Sequence, residues 1–169
     1  MFYTARYSFA RPGNTTQYAQ NELVADSATA ASVTPMRFGV ERSQGRGRIS
    51  RVMLFTSTTT VTAANFNLHL FTRSPGVPTN GDNGAYGVAS NQYWLGTIAM
   101  DISSAGEVSS ADKRKSFLLT APGFGFDTNV DGTSDALRMA LYGLIETATA
   151  ATYTPGSGEV FDVALDIEG

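Results

Sequence analysis

The sequence predicts an all-β fold: one antiparallel β-sandwich, jelly-roll-like, with an extended or partly helical N-terminal arm. Three observations predict it. Apolar and polar residues alternate with period two in several stretches of strand length, so each stretch has one face for a core. The chain is dense in Thr, Ser and Asn, has 17 Gly and almost no Lys, a composition of strands and turns more than of helices. Its 169 residues carry about seven or eight such stretches with turn signals between them, which suits a sandwich built around one core.

Taken in order, residues 1–35 read as an N-terminal arm and first strand, and residues 36–169 as the sandwich core, one domain overall. Met1 to Arg6 lacks the basic start and apolar stretch of a signal peptide, and no apolar run is long enough to span a bilayer. From Gln17 to Ala31 the apolar residues Tyr18, Leu23 and Val24 fit a helix, while the many Thr, Ser and Asn fit an extended arm equally well. Met36 to Glu41 is a short alternating run, and Arg48 to Thr56 is rich in Ile, Val, Leu and Phe at strand length. Phe66, Leu68, Leu70 and Thr72 alternate with Asn67, His69, Phe71 and Arg73.

Ser74 to Gln92 is too long and too rich in Gly and Pro for a hairpin turn, and long ordered loops on a rigid sandwich commonly carry function. Within it, Asn80 to Gly84 reads as a tight loop using left-handed conformations. Trp94 to Ile102 follows as a strand whose opening Trp94 is expected to pack in the core, and Ser116 to Thr120 as another. Leu137 to Glu146 alternates, the turn formers Tyr153 to Gly158 follow, and Phe161, Val163, Leu165 and Ile167 alternate with Asp162, Ala164, Asp166 and Glu168. That last strand has one buried face and one acidic face.

Without Cys there is no disulfide, no thiolate nucleophile and no Cys-based metal site. Charged residues make up 16% of the chain, against about 25% in ordinary soluble domains, which suggests a surface partly covered by a partner. The net charge of −3 hides an asymmetry: most Arg lie in the first half and most carboxylates in the second. Contact between copies would use it, and so would strands of the two halves pairing inside one domain; the balance argues against nucleic acid.

No set of catalytic residues stands out. His69 is the only histidine, on the strand face opposite Phe66, Leu68 and Leu70, and no nucleophile elbow accompanies it. The C-terminal carboxylates lie on the outward face of one strand, where solvation explains them better than glycosidase chemistry does. The sharpest motif is Asp127-Thr128-Asn129-Val130-Asp131-Gly132-Thr133-Ser134-Asp135, which follows the first part of a calcium loop. Asp127, Asn129, Asp131, the Thr133 carbonyl and Asp135 would supply most of the about six to eight oxygens that Ca2+ takes. Arg138 stands where the closing Glu belongs, the flanks read as loop and strand, and the same residues are good turn formers. Arg42, Arg46, Arg48 and Arg51, spaced by Gly45 and Gly47, form a cluster that suits an acidic protein partner or a solvated hairpin.

Several stretches resemble the capsid decoration, or auxiliary head, proteins of tailed bacteriophages. They are Asn14-Thr15-Thr16-Gln17-Tyr18-Ala19 through Leu23-Val24-Ala25 to Ser32-Val33-Thr34-Pro35, then Phe66 to Phe71 with Ser74-Pro75, and Asn80 to Ala85. Leu141 to Glu146 and Tyr153 to Glu159 complete them. The resemblance implies a non-enzymatic virion protein, made in the host bacterial cytoplasm, that binds the outer surface of the major capsid protein lattice, commonly as a homotrimer. It implies no catalytic residue; the Ca2+ motif stands apart from it, and the charge balance and the lack of a long apolar run speak against nucleic acid and membrane as partners. The residues also fit a phage tail or fibre-associated module, and a carbohydrate-binding β-sandwich in which Trp94, Tyr93 and Tyr86 would form a stacking platform. Exposure of Trp94 and Tyr93 on one surface would favour the last.

Overall fold

The computed structural model describes residues 1–40, 44–57, 65–101, 106–109, 112–118, 123–128, 139–148 and 153–169. Among the described residues the chain forms eleven strands: β1 (Phe2–Ala10), β2 (Leu23–Val24), β3 (Met36–Gly39), β4 (Arg46–Thr56), β5 (Asn65–Phe71), β6 (Trp94–Asp101), β7 (Gly106–Ser109), β8 (Asp112–Leu118), β9 (Phe124–Asp127), β10 (Ala140–Thr147) and β11 (Val160–Glu168). They form two antiparallel sheets, ordered β1-β11-β4-β8-β7 with β9 also on β4, and β2-β10-β5-β6 with β3 also on β10.

The two sheets face each other as a sandwich of jelly-roll order. If β1, β3, β4, β5, β6, β8, β10 and β11 are taken as first to eighth, one sheet runs first, eighth, third, sixth and the other second, seventh, fourth, fifth. The chain therefore crosses between sheets repeatedly, and the Pro-Gly segment after β10 carries it from the second sheet to the first.

The period-two pattern sets what each strand buries. Phe161, Val163, Leu165 and Ile167 of β11 face inward with Ile49, Val52 and Leu54 of β4, against Phe66, Leu68 and Leu70 of β5 and Leu141 and Ile145 of β10. Phe66 stands edge-on to both Phe161 and Tyr153, with ring centroids 5.5 and 5.4 Å apart. Ile49 and Val52 share a face although three positions apart, because β4 bulges at Ser50: Asp166 pairs Arg51 and Ile167 pairs Ile49.

β11 lies between β1 and β4, not at the outside of its sheet, so its acidic face meets side chains from both neighbours. The segment from Gln17 to Ala31 resolves in favour of extended chain. It holds the two-residue β2, an antiparallel bridge from Tyr18 to Tyr153 and only the start of a short 3-10 turn at Ala30–Ser32. No helix is long and apolar enough to cross a membrane among the described residues.

Candidate functional site

The second sheet turns an outer face that is part polar and part apolar toward the long loop of residues 74–92. On it, β5 and β10 pair His69 with Leu144 and Asn67 with Glu146, while β6 sets Thr97 opposite His69. His69 Nε2 lies 2.8 Å from Glu146 Oε2 and Nδ1 lies 2.8 Å from the Thr97 hydroxyl; in the neutral imidazole that donates to the carboxylate, Nδ1 accepts from Thr97. Asn67 Nδ2 donates to the same Glu146 oxygen at 3.2 Å. Hydroxyl, imidazole and carboxylate in series are the order used in nucleophilic catalysis. Engagement of both ring nitrogens is common to that arrangement; what this one adds is the Tyr86 ring, which covers the imidazole at a centroid distance of 4.4 Å, so the loop rests on His69. Burial, then the nearby Glu146 carboxylate, raise the Tyr86 hydroxyl above its ordinary range and keep it neutral.

Tyr86 and Val88 continue an apolar layer outside the sandwich core, packed on Leu23, Ala25, Val33, Phe71 and Leu144. The loop is tied down at its other end by a buried polar cluster. Arg11 and Asp82 form an ion pair at 2.7 Å with both side chains 0% exposed. Tyr18 donates to Asp82, Arg11 Nε donates to the Tyr18 oxygen, and the Ala25 N–H reaches Asp82 Oδ1 at 2.9 Å. Loop and arm approach so closely that a Cβ on Gly81 would lie 2.1 Å from the Ala28 carbonyl oxygen. Asn83 adopts a positive φ of 64°, the left-handed turn expected of the Asn80 to Gly84 cluster.

The expectation for Trp94 is corrected. In regular pairing with Leu70 opposite Gly96, residue 94 would face the core, yet the register shifts there and Phe71 pairs with Trp94. Leu95 is the extra residue of a β-bulge and packs on the sandwich core in its place. Trp94 stands outside, 54% exposed. With His69, Phe71, Tyr86, Val88 and Asn91 it lines an open recess of about 230 Å3. Tyr93 is held apart from it by Arg73, whose guanidinium lies 4.6 Å over the Tyr93 ring and donates to its hydroxyl. Trp94 and Tyr86 thus meet in one recess, and Tyr93 belongs to a neighbouring pair.

The first sheet carries the arginines. Arg6 Nε donates to Asp162 Oδ1 at 2.7 Å, Arg51 Nε to Asp166 Oδ2 at 2.6 Å, Arg48 to Glu168 at 2.5 Å and Arg46 to Asp127 at 2.9 Å. The charge asymmetry of the sequence is thus taken up within the chain, early-strand arginine against late-strand carboxylate. Arg42 lies outside the described residues. So do Asn129, Asp131, Thr133 and Asp135 of the calcium-like segment, while Asp127 ends β9 beside Arg46. Among the described residues no group of three or more His, Asp or Glu gathers as a metal site.

His69, Glu146 and Thr97 illustrate what sequence reading misses. Glu146 and His69 are 77 positions apart, and only the pairing of β5 with β10 joins them.

No protein-family model matches the chain, and no curated protein matches it in sequence. Among solved structures it is similar to a carbohydrate-binding module of the family 9 glycoside hydrolase Cel9A of Ruminococcus flavefaciens, 13% identical, covering 92% of this chain and 98% of that one at a TM-score of 0.36. It is also similar to the PRD1 vertex protein P5, 13% identical over 98% and 97% of the chains at 0.37. The native virion of Kashmir bee virus is a third, 10% identical over 97% and 66% at 0.35. Likenesses of this size concern the chain path and carry no ligand or partner across.

Proposed function

We propose that this chain is a non-enzymatic virion structural protein that decorates a tailed-phage capsid, binding the outer surface of the major capsid protein lattice as a homotrimer. The observation that supports it best is the position of β1 at the edge of its sheet. That strand pairs with β11 on one side and with no described strand on the other, and it presents Phe2 75% exposed. Next to Phe2, Thr4, Ser50, Arg51, Asp166 and Glu168 line an open recess of about 440 Å3. An exposed aromatic beside a rim of paired charges is the pattern of an interface anchor. Arg46, Arg48 and Arg51 lie on the same sheet and are proposed to reach acidic groups of the lattice at the rim. Individually weak contacts suffice there, because an oligomer on a repeating lattice binds many sites at once.

Co-sedimentation of the purified protein with undecorated heads, alongside its mass by light scattering, tests the reading. Saturable binding and a trimer mass are expected. Phe2→Ser should lower occupancy about tenfold, a loss of the size of one buried apolar anchor, with an unchanged melting temperature. A protein that ignores heads, or that binds tails alone, overturns the reading.

A further inference from the structure

We propose that the recess around Trp94 is a binding site for one neutral sugar ring, a second function carried on the sheet opposite β1 and independent of the lattice contact. Three observations converge on it. The first is the bulge at Leu95. It removes the chain's only tryptophan from the core it would otherwise enter and stands it in solvent beside Phe71. Bulges gather next to functional sites because they re-aim a side chain in this way.

The second is the chemistry of the walls. Trp94, Phe71 and Val88 are apolar, Asn91 is polar, His69 has both ring nitrogens engaged by Glu146 and Thr97, and among the described residues no Lys, Arg, Asp or Glu lines the recess. A ligand matched to those walls is uncharged, with one flat apolar face to lie on the indole and hydroxyls at its edge for the Asn91 amide. A pyranose ring has both. The recess is smaller than the roughly 300–1,000 Å3 of sites for drug-sized ligands, so it fits one ring and leaves a chain of sugars to extend over the open side.

The third is rigidity. His69 is fixed by Glu146 and Thr97, Tyr86 is stacked on His69, and the loop bearing Tyr86 is anchored through the buried Arg11–Asp82 pair. Walls already held in place lose little freedom when a ligand binds. Because the recess lies on the second sheet and Phe2 on the first, a copy docked through β1 points its Trp94 away from the lattice.

The single tryptophan makes the test direct. Full-length protein is titrated with the methyl glycosides of glucose, galactose, mannose and N-acetylglucosamine and with their linear tetramers, and Trp94 emission is read. A saturable blue shift with at least one saccharide is expected, with protection from acrylamide quenching. Calorimetry with that saccharide should show affinity at least about tenfold weaker for Trp94→Ala, a loss of stacking, while Tyr93→Phe binds as the parent does. His69→Gln is expected to weaken binding through the loosened Tyr86. No response to any of the saccharides overturns the proposal. Binding that survives in Trp94→Ala overturns it too. A shift produced by undecorated heads and by none of the sugars assigns the recess to a protein contact instead.

Discussion

Trp94 pairs with Phe71 on the outer face of the second sheet, although strict alternation along β6 would send it into the core. One bulged residue, Leu95, reverses the facing of what precedes it, because a strand's side chains repeat with period two. Behind the bulge, Gly96 lies under the ring of Phe124 from β9, so the twist of β6 and the contact between the two sheets depend on the same spot.

Gly96→Ala tests that dependence. An added Cβ would lie 2.4 Å from Phe124 Cζ, and Gly96 holds a φ of 154°. We expect a loss of about 1–3 kcal/mol, the range for overpacking, read by urea denaturation. Phe124→Leu in the same chain should recover part of it by making room. An unaltered midpoint for Gly96→Ala would show that the ring moves aside freely.

The buried Arg11–Asp82 pair predicts a larger effect. Asp82→Ala removes the carboxylate from a guanidinium that solvent does not reach and leaves the Tyr18 O–H and the Ala25 N–H without their acceptor. The expected cost is about 3–5 kcal/mol. Arg11→Met combined with Asp82→Ala should cost less than the two single changes added together, since the uncompensated charge is gone. Additive losses would place the stabilisation in packing and not in the pair.

Glu159 predicts a pH dependence. Burial raises its carboxyl above the usual range, against the lowering effect of hydrogen bonds from the Tyr153 hydroxyl and the Gly156 N–H. The native state then holds this proton to higher pH than the unfolded chain, whose Glu titrates near about 4.3. Between those two values stability falls as pH rises, and above the folded value the penalty is constant. Glu159→Gln keeps an oxygen for Tyr153 and removes the titration. The difference in stability, variant minus parent, is therefore expected to grow from pH 4 to pH 8 in urea melts. A difference that stays constant or shrinks contradicts the sign.

For calcium to bind the segment from Asp127 to Asp135 it would have to compete with Arg46, which hydrogen-bonds Asp127 at 2.9 Å. Arg46→Ala is expected to tighten Ca2+ binding severalfold, and Asp131→Ala to abolish it, both by calorimetry. A parent chain that gives no calcium heat, with Arg46→Ala equally silent, removes the ion from the protein's function.

Much of the fold was legible in the residues. Phe161 to Ile167 and Phe66 to Leu70 alternate cleanly, and each turns the face that alternation names to the core, whereas β10 buries Leu141 and Ile145 on one face and Leu144 on the other. The strand β1 also alternates through Tyr3, Ala5, Tyr7 and Phe9, but apolar Phe2 and Ala10 on its other face blur the signal. β7 and β9, four residues each, are too short for a period to show.

By itself the sequence determined the class of fold, the inward faces of the main strands and the length of the loop after β5. Those are local properties, set by the period of the chain and by where Gly and Pro interrupt it. Only the tertiary structure decided that Arg6 meets Asp162, that Arg11 meets Asp82, that His69 meets Glu146 and that Trp94 stands outside. Each of these depends on which strands lie side by side and in what register. Pairings between residues tens to more than a hundred positions apart, and a one-residue bulge, leave no periodic trace in the chain.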